Sequence, residues 1–68
     1  MRHLRNRQNH LLCMVDDRTG QVSTEGPHKS EYSYVLPVGA SFTVKRGNLI
    51  STITRTRERF IVADSLVA

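Results

Sequence analysis

Ser41-Phe42-Thr43-Val44-Lys45-Arg46-Gly47-Asn48-Leu49-Ile50-Ser51-Thr52-Ile53-Thr54-Arg55-Thr56 reads as two strands around a tight turn. Phe42 and Val44 alternate with polar neighbours, the period that puts one face of a strand inward. Arg46-Gly47-Asn48 supplies the residues a tight reversal needs, a glycine free to take positive φ beside an asparagine. From Leu49 to Thr56 the chain is rich in Ile and Thr, whose β-branched side chains suit a pleated surface. Phe60-Ile61-Val62 has the composition of a closing strand.

Working towards the N-terminus, Tyr32, Tyr34 and Leu36 alternate with Ser33 and Val35 until Pro37 stops the run, a pattern suited to a sheet edge. Before it lies a polar stretch, residues 16 to 31, with Gly20, Gly26 and Pro27. Within that stretch, Asp17-Arg18-Thr19-Gly20 has the chemistry of a hairpin turn, so the strand at residues 9 to 15 should return through Gln21 to Thr24. In the first of these strands Leu11, Cys13 and Val15 share one face, and Leu12 and Met14 the other. No window repeats apolar residues at helical spacing for more than about two turns.

The expected fold class is therefore all-β: a small barrel or twisted antiparallel sheet of five to six short strands, with a short helical turn at Asp64 to Val67. Residues 9 to 68 form one small β domain in this reading. Residues 1 to 8, with three arginines and little to bury, form a flexible basic arm. A chain of 68 residues buries only about 60% of its unfolded surface, which makes self-association as a homodimer a natural support.

The net charge of +4 is segregated. Arg2, Arg5 and Arg7 give the N-terminal stretch +3; the segment from Lys45 to Arg59 holds five basic residues and one acid, +4; everything else sums to −3. If Leu49 to Arg59 were one extended strand, Arg55, Arg57 and Arg59 would lie on one face about 6.7 Å apart, a guanidinium stripe suited to phosphate oxygens. Lys45 and Arg46 at the hairpin tip would extend it, and Arg2, Arg5 and Arg7 would reach along the same polymer. The leading functional expectation is thus a small accessory or regulatory protein that binds DNA or RNA through its phosphates. The bland reading of the same residues is a solvated strand face that repels unwanted pairing.

A second expectation, from a different class, is a protein-interaction module that adds a strand to a partner or pairs with itself, using Tyr32, Tyr34, Phe60, Ile61 and Val62. The tyrosines have a competing use in the core of so small a chain, as do Phe42 and Phe60.

Other chemistries fare poorly. His10 and Cys13, with His3 and His28, lack the paired ligand motifs of a structural zinc site, so no metal or cofactor is expected and Cys13 reads as a small buried hydrophobe. The acids sit in turns, no base-nucleophile pair is evident and the glycines are scattered, so no enzyme is expected either. The apolar run Leu11 to Val15 is broken by Asp16-Asp17 and is too short for a signal-peptide core or a membrane span, which points to a cytoplasmic protein.

Overall fold

The computed structural model describes residues 1 to 25 and 31 to 67, with side-chain surroundings given for all of these except 25 and 31. The chain is all-β, without a helix among the described residues. The described residues form seven strands, β1 (Arg2–Arg5), β2 (Leu11–Val15), β3 (Gln21–Glu25), β4 (Glu31–Val35), β5 (Ser41–Arg46), β6 (Leu49–Arg55) and β7 (Phe60–Leu66). They form two antiparallel sheets, β1-β2-β3-β4 and β5-β6-β7, each a simple meander. The sheets do not close into a barrel, and the strand count exceeds the five to six expected.

The core draws on both sheets: Leu4, Leu12, Cys13, Val15 and Val22 from the first, Ile53 and Phe60 from the second, and Leu36 from the connection between them. Phe42, Val44 and Val62 pack against this cluster. In β6 the buried positions Leu49, Ser51 and Ile53 alternate with half-buried ones, as one covered face requires. Leu12 and Cys13 are neighbours, yet both are buried. A register shift opposite Leu4 and Arg5 leaves Leu12 without a partner on β1, and such a bulge lets two successive side chains turn to the same side.

Two turns follow the sequence reading closely. β5 and β6 are joined by Gly47-Asn48, with Arg46 opposite Leu49 and Gly47 at φ +60. Between β2 and β3, Gly20 takes φ +83. The aspartate that organises this second turn is Asp16, whose Oδ1 accepts from the Arg18 amide at 2.9 Å. Asp17 is thereby released for a longer-range task.

Three expectations need correction. Residues 1 to 8 are not a loose arm: Arg2–Arg5 pairs with β2, Leu4 is buried, and Asn6 accepts the amides of Gln8 (2.9 Å) and His10 (3.0 Å) on its Oδ1. Composition concealed this because one leucine was enough to anchor the strand. No helical turn forms at Asp64 to Val67, since β7 runs to Leu66 in register with β6, with Asp64 opposite Ser51 and Leu66 opposite Leu49. Finally, β6 ends at Arg55, where Thr56 Oγ1 accepts the amides of Glu58 and Arg59 and turns the chain, so Leu49 to Arg59 is not one strand.

The two sheets are fastened at one end by polar groups. Arg2 forms a two-point pair with Asp17, Nε to Oδ2 at 2.9 Å and Nη2 to Oδ1 at 2.8 Å, and also donates to the Phe60 carbonyl at 2.9 Å. Asp17 Oδ1 accepts the Phe60 amide at 2.7 Å. Nearby, the Arg55 guanidinium covers Gly20 and donates to the Leu36 carbonyl at 2.7 Å, while the Arg55 backbone bonds Gly39 and Ala40. This residue therefore holds the connection between the sheets against the β2–β3 turn.

Two consequences can be measured. Asp17→Ala removes charge-assisted bonds to both sheets and should lower unfolding free energy by about 2 kcal/mol in urea denaturation, discounted for the partial exposure of the pair. The Arg2 guanidinium holds the Asp17 carboxyl below its ordinary range, helped by the Phe60 amide. Stability from this group is accordingly complete above the unfolded carboxylate range and is lost as pH falls through the lower folded value. An acid-denaturation midpoint unchanged by Asp17→Ala would contradict that role. Separately, Gly20→Ala combines positive φ with collision against the Arg55 guanidinium and should cost roughly 2 kcal/mol, which thermal unfolding would detect.

Candidate nucleic-acid interface

The cationic residues divide between the two ends of the strands. At one end, the β1–β2 turn meets the tip of the β5–β6 hairpin: Gln8 Nε2 donates to Asn48 Oδ1 at 3.1 Å, and a Cβ placed on Gly47 would lie 3.6 Å from Gln8 Oε1 and 3.8 Å from His10 Cε1. Arg5 and Arg7 flank or lie on one of these turns and Lys45 and Arg46 flank the other, so residues some forty positions apart in the chain share one end of the strands. All four are exposed. Arg5 donates to the Asn9 carbonyl and Arg46 to the Lys45 carbonyl, each at 3.1 Å, and neither bond neutralises charge.

The turn that carries Arg7 is well defined. Besides the two amides held by Asn6 Oδ1, the Asn6 amide donates to His10 O at 3.1 Å and the Asn9 amide to Asn6 O at 2.9 Å, with Asn9 at φ 66. Asparagine tolerates that left-handed conformation better than most residues. The strand registers put Glu25 and Glu31 at this end of the first sheet, and the acid at this end of the second is Asp64. It accepts from Ser51 Oγ at 2.6 Å and from the Arg7 amide at 2.7 Å, and the Ser51 hydroxyl leads in holding its carboxyl below the usual range. Its charge is thus engaged by a hydroxyl and a backbone amide, with the Arg7 charge adding a minor attraction. The one ion pair among the described residues is Arg2 with Asp17, at the other end.

At that opposite end the expected stripe comes apart. Arg55 has the same strand parity as Leu49, Ser51 and Ile53, the buried residues of β6, and so points inward. Its Nε is buried without a hydrogen-bond partner, and Nη1 is spent on Leu36. Arg2 is occupied by Asp17 and Phe60. Arg57 and Arg59 are exposed on the β6–β7 turn beside Glu58, where Arg59 adds a minor attraction to Asp17. Arg18, exposed on the β2–β3 turn, adds a cation at this end that the stripe did not include. The parity of Arg55 with Ile53 was the signal for its inward placement, and the Asn6-to-Asn9 turn was the signal for the ordered site at Arg7.

The residues expected at a protein interface also separate. Phe60 is buried in the core and Val62 packs against it; Ile61 faces out, 44% exposed. β7 is paired with β6 along its length and is the outermost strand of its sheet, so one of its edges stays open. Tyr32 and Tyr34 stand on the edge strand β4. Tyr34 meets Phe42 edge to face, ring centroids 6.1 Å apart, across the gap between the sheets.

The remaining chemistry is sparse. Burial pushes the Cys13 thiol up to about 11, which keeps it protonated and poorly nucleophilic near neutral pH. Among the described residues no three of His, Cys, Asp and Glu lie close enough to hold a metal ion, and His28 falls outside them. No helix among the described residues is long and apolar enough to cross a membrane. The chain matches no protein-family model, and no curated protein or solved structure is significantly similar to it.

Proposed function

We propose that this chain is a small accessory or regulatory protein of the cytoplasm that binds nucleic acid through phosphate contacts, with Arg5, Arg7, Lys45 and Arg46 as the principal contact. The observation that carries this reading is that four exposed cations flank two turns that meet at one end of the strands, none in an ion pair with a carboxylate among the described residues. Guanidinium groups match phosphate geometry with their planar fork, and a lysine adds a compact point charge. Gln8, His10 and Asn48 place further polar groups among them. The ordered backbone of the β1–β2 turn lowers the entropy lost when Arg5 and Arg7 engage a ligand.

Arg57 and Arg59 supply a second contact. The length of β6 separates it from the first by roughly 20 Å, at about 3.3 Å per residue. The two groups thus act on separate phosphates rather than as one stripe. Arg2 and Arg55, committed to the fold, take no part in binding in this reading. Among the described residues no Phe or Tyr ring stands among the exposed cations, so the contact reads charge rather than base identity.

Fluorescence anisotropy with a labelled duplex and a labelled single strand at several salt concentrations tests this directly. For B-form DNA, log affinity should fall with log salt by about 0.9 per phosphate neutralised. The double variant Arg7→Gln, Arg46→Gln should reduce that slope by about 1.8, for two lost contacts, without changing the melting temperature. Absence of binding at low salt, or an unaltered slope in the double variant, would contradict the proposal.

A further inference from the structure

We propose that a second copy of this chain docks along the free edge of β4, antiparallel to it with Ser33 on the two-fold axis, so that two four-stranded sheets become one of eight strands. β4 is the outermost strand of its sheet and bonds only to β3. An exposed edge invites pairing unless charge, proline or a bulge guards it. Of the other edge strands, β1 carries Arg2 and Arg5, β5 carries Lys45 and Arg46, and β7 carries Asp64. β4 carries one charge, Glu31 at its start, and from Tyr32 through Val38 there is none; Pro37 lies beyond the end of the strand at Val35.

The edge is also apolar. Tyr32 is 54% exposed, Tyr34 42% and Val35 63%, and Val38 just beyond is 51% exposed. Register explains why the tyrosines are only half covered: Tyr34 opposes the buried Val22 and Tyr32 opposes Thr24, so both face the inter-sheet side, where β4 has no strand beyond it. A further strand on this edge would extend that covered side.

Two features select a copy of this chain as the occupant. The pattern Tyr32-Ser33-Tyr34 is symmetric about Ser33, and an isologous contact requires such self-complementarity. With Ser33 opposite Ser33 of the second copy, each Tyr32 opposes a Tyr34 on one face, an aromatic cross-strand pair made twice. Charge points the same way, because a chain of net charge +4 approaches its own copy most easily through an uncharged face. The proposal does not depend on nucleic-acid binding.

Light scattering after size exclusion, across protein concentration and without nucleic acid, provides the test. Wild-type protein should show a concentration-dependent dimer. Ser33→Lys and Ser33→Glu each place like charges opposite one another at the axis, weakening the dimer roughly fivefold or more, and mixing the two variants should restore it as a heterodimer. Backbone hydrogen exchange of the wild type gives a readout independent of any variant: amides of Tyr32 to Val35 should slow as concentration rises. A wild type that stays monomeric, variants that dimerise like it, or β4 amides indifferent to concentration would overturn the proposal.

Discussion

The Asp17 carboxylate is the joint of this structure. It sits on the turn between β2 and β3, in the first sheet, and holds the Arg2 side chain and the Phe60 amide at the start of β7, in the second. Two small sheets of four and three strands have little apolar area with which to fix their relative placement. A charged acceptor with three donors in defined directions supplies what packing alone leaves loose. Arg55 acts in the same region, tying the Leu36 carbonyl and the β2–β3 turn to the end of β6.

This joint also sorts the cations. An arginine whose guanidinium bonds groups distant in the chain is part of the scaffold, however basic it looks in the sequence. Arg2 and Arg55 belong to that class, whereas Arg5, Arg7, Lys45, Arg46, Arg57 and Arg59 remain in solvent. Four exposed cations lie at the junction of two turns, opposite the polar joint, and Arg18, Arg57 and Arg59 lie at the joint's own end. Folding and binding thus draw on the same residue type.

Much of the architecture was legible because alternation and turn chemistry are local. The β5–β6 hairpin, the Gly20 turn and the edge character of β4 all follow from residues within a few positions of one another. What was hidden depended on distant partners. β1 exists because Leu4 finds the core and Arg2 finds Asp17, which no window of the N-terminal sequence reveals. Asp64 and Ser65 resemble a helix cap until Ser51 and Ile50 become their strand partners. The arginine stripe failed for a local reason, since Arg55 shares its face with Ile53 and a strand buried on that face turns it inward.

The most direct measurement is a titration of the isotopically labelled protein with a short oligonucleotide, followed by backbone amide chemical shifts. On this account, amides of Arg5 to His10 and of Lys45 to Asn48 move together along one binding curve, those of Arg57 and Arg59 respond as the second contact, and the core residues Val15, Val22 and Ile53 stay unmoved. Shifts centred on the Asp17 joint, or a spectrum indifferent to the oligonucleotide at low salt, would contradict it.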